Sequence, residues 1–171
     1  MKTRFKIILF CLTSSSLISC DQLTKGLAKQ HLMSREPSSY FHDLFRLQYA
    51  ENTGAALSLG DNLPQPYSFL LLSLVPLLVL TGLLIYTFTQ IKEFNTVRII
   101  CYALVFAGGI GNIIDRVFRD RHVTDFMNVG ISQLRTGIFN VADLCITAGI
   151  TGLLFSYYKA DKNPKSVNQT I

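Results

Sequence analysis

Two aspartates stand where a carboxylate is expensive to keep. Asp115 closes an uncharged run from Ile99 to Ile114, and Asp143 is the single acid in the apolar stretch from Gly137 to Tyr158. A charged side chain at the centre of a bilayer costs at least about 2.5 kcal/mol, so an acid retained there marks a functional site by default. Asp115 lies 17 residues beyond Arg98 and Asp143 lies 15 residues before Tyr158, about 25 Å and 22 Å along antiparallel helices. Both carboxylates therefore reach nearly the same depth. A converged pair cannot ionise fully, so one member keeps a proton while the other is free to act as a base. Such a pair suits peptide-bond hydrolysis: the ionised acid deprotonates water, and the protonated one polarises the carbonyl and then supplies a proton to the leaving amine. Asn112 and Asn140 each stand three residues before an acid, on the same helical face, where an amide orients a carboxylate or holds a substrate backbone. Arg116 is placed to meet an anionic or carbonyl group, and Gly108, Gly109 and Gly111 allow a neighbouring helix to approach closely. The same two acids also fit a proton relay or a small transporter. Asp115 with Arg116 fits a plain helix-end charge pair, and Asp143 a carboxylate stabilised by a helix dipole.

The elements that must position these groups are apolar runs. The chain has 171 residues, 49% hydrophobic and only 16% charged, with a mean hydropathy of +0.33. Soluble domains carry about 25% charge, and a disordered chain needs the opposite balance. Four apolar runs cover Phe5 to Cys20, broken only by Lys6, then Tyr67 to Thr89, Ile99 to Ile114, and Gly137 to Tyr158. The second has 23 uncharged residues, about 34 Å of helix against a hydrocarbon layer of ~30 Å. The fold class expected is an all-α polytopic membrane protein with four transmembrane helices near 5–20, 67–89, 99–114 and 137–158. They form one membrane-embedded domain over residues 1–161, with a flexible tail over 162–171.

The net charge of +5 resolves by position rather than into a nucleic-acid patch. Residues 1–6, 90–98 and 159–171 hold eight basic and two acidic side chains, net +6, whereas the opposite face holds eight basic and nine acidic, net −1. The denser basic face places both termini in the cytoplasm. Between the first two spans, Phe45-Arg46-Leu47-Gln48-Tyr49 alternates like a strand and Asn52-Thr53-Gly54 reads as a turn. Tyr40, Phe41, Phe45 and Tyr49 suit the membrane interface. Pro64 and Pro66 punctuate the entry to the second span.

Other chemistries fit less well. Cys11, Cys20, Cys101 and Cys145 are far apart in or beside apolar runs, as expected for buried small hydrophobes rather than a disulfide framework or zinc ribbon. His31, His42 and His122 lack metal-ligand spacing, and Ser19 with Lys25 is a poor nucleophile and base pair at six residues apart. Residues 1–21 imitate a lipoprotein signal, ending in Leu17-Ile18-Ser19-Cys20. Three further spans argue against that reading. Asp21 and Lys25, four apart, share a helical face if the first helix continues that far, either as a functional pair or as an interfacial ion pair.

Five blocks in order carry a family resemblance: Asp21-Gln22-Leu23-Thr24-Lys25, Asn52-Thr53-Gly54-Ala55-Ala56, the run Gly108-Gly109-Ile110-Gly111-Asn112-Ile113-Ile114-Asp115-Arg116, Val123-Thr124-Asp125-Phe126, and Phe139-Asn140-Val141-Ala142-Asp143. With them the chain resembles the lipoprotein signal peptidases (signal peptidase II), aspartic peptidases of the bacterial inner membrane. The resemblance implies four membrane helices with a small extracytoplasmic β-element and a short surface helix. It implies a catalytic dyad of Asp115 and Asp143 without metal or organic cofactor, and cleavage of prolipoproteins just before their diacylglyceryl-modified cysteine. Asn52, Gly54, Asn112, Arg116, Asn140 and Ala142 would line the substrate site, with Asp21, Lys25, Gly108 and Asp125 as structural support. Expected partners are diacylglyceryl-prolipoprotein substrates, membrane lipids and globomycin-type inhibitors, with no nucleic acid and a monomeric chain. Leu57 stands where an aromatic is usual, and Met127-Asn128 and Leu144-Cys145 are less typical continuations of their motifs.

Overall fold

The computed structural model describes residues 2–54, 59–60, 63–64 and 66–162. Ala55 and Ala56 of the second block, and Leu57 after it, lie outside the described residues, as does the tail from 163 onward.

Helix α1 (Thr3–Leu32) runs 12 residues past the end expected at Cys20. The polar stretch after Cys20 does not stop it, because Asp21 and Lys25 pair with each other inside the bundle instead of seeking water. Lys29 and His31 occupy its last turn, where cations complement the helix dipole. Lys6, the one charge in the first run, is buried and donates from Nζ to the carbonyl oxygens of Ile91 (3.1 Å) and Lys92 (2.8 Å), groups left without helical partners beyond the second helix.

That second helix, α2 (Tyr67–Thr89), contains Pro76, which has no N–H to give and crowds the carbonyl one turn back. The backbone answers with a π-helical stretch at Leu70–Leu74 just before it. Helix α3 (Thr96–Phe118) starts at Asn95, whose side chain accepts from the Arg98 N–H at 2.9 Å. It buries Ile99, Ala103, Ala107, Gly111 and Asp115, a strict four-residue ladder, and so runs through the centre of the bundle. It extends beyond the expected end at Ile114, carrying Asp115 and Arg116 within its last turn. Helix α4 (Val141–Lys162) starts four residues later than the fourth apolar run, since Asn140 caps it from outside.

Small residues set the spacing between α3 and α4. A methyl group on Gly108 would run into the Ala142 carbonyl oxygen, and one on Gly152 would lie 2.5 Å from the Cys101 sulfur. At the end away from the sheet, Phe10, Ile91, Phe94, Ile99, Tyr102 and Ala103 form an apolar cluster in which Phe94 stacks on Tyr102 at 5.0 Å between ring centroids. Cys101 and Cys145 are buried as expected of small hydrophobes, but Cys11 and Cys20 are exposed on the outer side of α1, the face a bilayer covers. All four thiols are free.

A four-stranded antiparallel sheet in the order β1-β2-β3-β4 lies across one end of the bundle: β1 (Ser38–Tyr40), β2 (Phe45–Asn52), β3 (Val123–Ile131) and β4 (Leu134–Arg135). Strand β2 pairs with β3 from Phe45↔Val129 to Asn52↔Val123, with an irregularity between Leu47 and Ala50. No short surface helix separate from the four long ones occurs among the described residues.

Gly108 and Gly82 are both helical glycines with opposite surroundings, since a methyl group added at Gly82 would meet nothing within 4 Å. Thermal unfolding in detergent is expected to find Gly82→Ala neutral or stabilised by about 0.5–1 kcal/mol. Gly108→Ala is expected to lose about 1–3 kcal/mol, because the collision outweighs the same helical gain.

Candidate active site

The polar residues of α1 and α3 meet around one ammonium group. Lys25, with no exposed surface, donates to Asp21 Oδ2 at 2.8 Å, Asp115 Oδ2 at 2.9 Å and Asn112 Oδ1 at 3.0 Å, using all three of its protons. Asp115 is equally buried and its other contacts are all donors: Gln22 Nε2 at 3.1 Å, the Thr124 N–H at 3.3 Å and Arg119 Nη1 at 3.4 Å. Asp21 in turn accepts the Ala142 N–H of α4 at 2.9 Å. Two carboxylates, one ammonium and one guanidinium leave this cluster neutral, the condition for keeping charges inside a low-dielectric bundle. Gly111 makes room for it, because a methyl group there would lie 2.6 Å from Asp21 Oδ2.

Beside this cluster, α2, α4 and the sheet enclose a cavity of about 740 Å³. Leu71, Leu72 and Pro76 of α2 and Leu144, Ile146 and Thr147 of α4 form its apolar side, while Asn52, Asn112, Arg116, Asp125 and Asp143 supply its polar end. The Pro76 region and the π-helical stretch before it thus supply one wall of the cavity. Strand alternation explains the presence of Asp125: Val123, Asp125 and Val129 share one face of β3, and all three line the cavity.

Asparagines hold the two acids of the cavity. Asn140 Nδ2 donates to Asp125 Oδ1 at 2.6 Å and Asn52 Nδ2 to Asp125 Oδ2 at 3.3 Å. Asn112 Nδ2 donates to Asp143 Oδ1 at 2.9 Å. Asn140 and Asp143 also form a reciprocal cap at the start of α4: the Asp143 N–H donates to Asn140 Oδ1 at 3.0 Å and the Asn140 N–H to Asp143 Oδ2 at 3.1 Å. Burial pushes the Asp125 carboxyl up to about 6, and the neighbouring charge of Asp143 pushes it the same way against the pull of its amide partners. Arg116 reaches the Gly54 carbonyl with Nη2 at 2.7 Å, and its buried Nε has no hydrogen-bond partner among the described residues. Gly54 is held by its own turn, donating its N–H to Asn52 Oδ1 at 2.9 Å.

Several expected roles change on this geometry. Asp115 is outside the cavity wall, sealed behind Lys25 and Arg119, and has neither access to water nor a free lone pair for a reaction. Asp125, expected as structural support, occupies the wall instead. Asn140 lies outside the fourth helix as its cap and acts on both acids. Ala142 is fully buried, with its N–H committed to Asp21, and Gly54 serves through its carbonyl, so neither lines the cavity. Asn52, Asn112 and Arg116 do line it. Asp21, Lys25 and Gly108 all lie in helix contacts behind it. Gln22, Thr124 and Arg119, not singled out by spacing, complete the shell of Asp115.

Four helices long and apolar enough to cross a bilayer, capped by a sheet and enclosing a cavity lined by two acids, define a multi-pass membrane protein with that cavity at one end of the bundle. The family model described as signal peptidase (SPase) II matches residues 13–159, and the chain belongs to that family. It is 36% identical over 159 residues to the lipoprotein signal peptidase of Borrelia turicatae (strain 91E135), covering 90% of this chain and 91% of the relative. With the lipoprotein signal peptidase of Borreliella burgdorferi (strain ZS7) it shares 34% identity over 162 residues, 92% and 91% of the two chains. A bacterial membrane enzyme solved by the in meso method at 2.3 Å resolution superposes with a TM-score of 0.75 at 26% identity, covering 90% of each chain. A second such structure at 1.9 Å resolution, 24% identical with a TM-score of 0.71, shares the fold.

Removing Lys25 leaves two buried carboxylates facing each other. Lys25→Met is expected to lose about 3–5 kcal/mol of stability, and Lys25→Met with Asp21→Asn to recover part of that loss, as read by thermal unfolding of the purified chain in detergent.

Proposed function

We propose that the chain is an aspartic endopeptidase that removes signal peptides from diacylglyceryl-modified prolipoproteins, cleaving just before the lipidated cysteine with Asp125 and Asp143 as its catalytic pair. The observation that carries this pairing is that both acids line one cavity, where burial first and the charge of Asp143 second raise the Asp125 carboxyl. Family membership and the relatives named lipoprotein signal peptidase support the substrate class. The apolar side of the cavity suits a substrate whose lipid already lies in the bilayer.

The roles follow from the surroundings. Asp125, buried and beside another acid, holds the shared proton and presents it to the scissile carbonyl. Asp143 accepts from Asn112 and from a backbone N–H at the positive end of α4, an arrangement suited to a carboxylate that takes a proton from water. The water oxygen then attacks the carbonyl carbon. Collapse of the tetrahedral intermediate breaks the C–N bond as the amine receives a proton. The asparagines fix the two acids, and Arg116, held on the Gly54 carbonyl, is placed to meet the substrate backbone beside them. The charge asymmetry of the chain supports an inner-membrane topology with both termini in the cytoplasm and the cavity on the opposite side.

In a reconstituted assay on a diacylglyceryl-prolipoprotein, Asp125→Asn and Asp143→Asn are each expected to lower the cleavage rate by about 10²–10⁴-fold. Full activity in either variant contradicts the pairing.

The sign of the pH effect follows from the direction of the Asp125 shift. Folding raises this carboxyl from 3.8 to about 6, so its stabilising contribution is full below 3.8 and is lost as pH rises through about 6. Cleavage is expected to fall over the same ionisation as the proton leaves Asp125. Asp125→Asn, which has no charge to bury, is expected to melt at or above the native temperature at neutral pH although it is inactive.

A further inference from the structure

The sheet presents an apolar tip that the cavity does not use. In the register Tyr40↔Phe45 and Phe45↔Val129, the turn between β1 and β2 and the turn between β3 and β4 fall at the same end of the sheet. The Gly130 N–H donates to the Leu44 carbonyl at 2.9 Å and joins the two turns. Together they expose Phe41 (77%), Ile131 (74%) and Leu134 (85%), flanked by Tyr40 and Leu44. Scattered apolar residues on a surface are ordinary, but large ones gathered on two adjoining turns mark an interaction site.

Hydrogen bonds hold the tip, and the Asp43 carboxylate within it meets both Arg46 and Arg135. Phe41, His42 and Asp43 all have positive φ, at 53°, 53° and 68°, a conformation that costs a residue with a side chain energy and needs support. Asp43 supplies that support: it accepts from Ser39 Oγ at 2.7 Å and Arg46 Nε at 2.6 Å, and its backbone carbonyl accepts from Arg135 Nη1 at 2.8 Å. The Arg46 guanidinium holds its carboxyl well below the usual carboxylate range, so the pair persists across ordinary pH. Residues 131–134 are Ile-Ser-Gln-Leu, without charge.

Its level relative to the bilayer follows from the cavity. Val129 and Thr136, within two residues of the turn between β3 and β4, share the cavity wall with Leu71 and Leu72 of α2. Those leucines lie inside a membrane-spanning helix, and Leu71 is 53% exposed. The strand ends that carry the tip are therefore joined through the cavity wall to a membrane-spanning part of α2.

We infer that the paired turns at Phe41 and at Ile131–Leu134 insert into the phospholipid interface on the cavity side, a non-helical anchor that holds the strand bearing Asp125 over the bundle. Apolar and aromatic side chains beside a small net positive charge, Arg46 and Arg135 against Asp43, suit the headgroup and upper acyl region. The proposal depends on the chain being embedded in a bilayer and not on the assignment of the catalytic pair.

The chain has no tryptophan, so a single one introduced at the tip reports without background. Phe41→Trp and Leu134→Trp are made in the full chain and reconstituted into phosphatidylethanolamine and phosphatidylglycerol vesicles. The expected result is emission shifted to shorter wavelength, quenched by phospholipids brominated on their acyl chains and unchanged as protein is diluted in lipid. Adding Leu134→Asp to the Phe41→Trp chain is expected to reduce the lipid quenching. Emission at the aqueous position, quenched by iodide and not by brominated lipid, overturns the proposal. A blue shift that disappears on dilution in lipid also overturns it, because the occupant would then be a second copy of the chain.

Discussion

One buried ammonium group governs the arrangement. Lys25 cannot sit in the bundle uncompensated, and its three protons select Asp21, Asp115 and Asn112 as the groups that must surround it. Those three residues come from α1 and α3, so meeting the charge fixes one helix against the other. The same shell reaches further, since Asp21 takes the Ala142 N–H at the start of α4 and Asp115 takes the Thr124 N–H at the start of β3. Asp143 lies one residue beyond Ala142 and Asp125 one residue beyond Thr124. The cluster thus holds the two backbone segments that carry the cavity acids without sharing their exposure.

Two kinds of carboxylate are therefore present at the same end of the bundle. Asp21 and Asp115 are met by cations and have no surface, which makes them parts of the scaffold. Asp125 and Asp143 take their hydrogen bonds from asparagine amides and a backbone N–H, and they face a cavity. Neutral donors orient an acid without quenching it. Burial and a like-charged neighbour then raise Asp125, the change a proton-sharing pair requires.

Much of this is legible in the chain itself. The apolar runs locate all four helices, and the alternation at Phe45–Tyr49 locates β2. Helix ends are less legible because charge reads as a stop signal: α1 continues through Asp21 and Lys25 since the two satisfy each other across one turn. Asn140 reads as a helical residue, although Asn three positions before an acid is also the pattern of a reciprocal cap. Depth in the membrane singles out Asp115 through the cost of burying a charge, but leaves out the cations that remove that cost. Lys25 and Arg119 arrive from 90 residues before and four residues after, and only the first requires tertiary structure to find. Asp125 lies outside the spans and so escapes the same criterion. Its signal is a lone acid on one alternating face of an apolar strand with Val123 and Val129.

The central claim is that Asp125 and Asp143 form one coupled pair while Asp115 does not belong to it. Its most direct test is the titration of the Asp125 carboxyl, followed by its infrared carbonyl band or by carbon-13 NMR in native chain, Asp143→Asn and Asp115→Asn. Removing the charge at 143 is predicted to bring the Asp125 midpoint down from about 6 toward 3.8, with a smaller change in folded Asp115→Asn. An Asp125 midpoint that stays in place when Asp143 is neutralised would contradict the account.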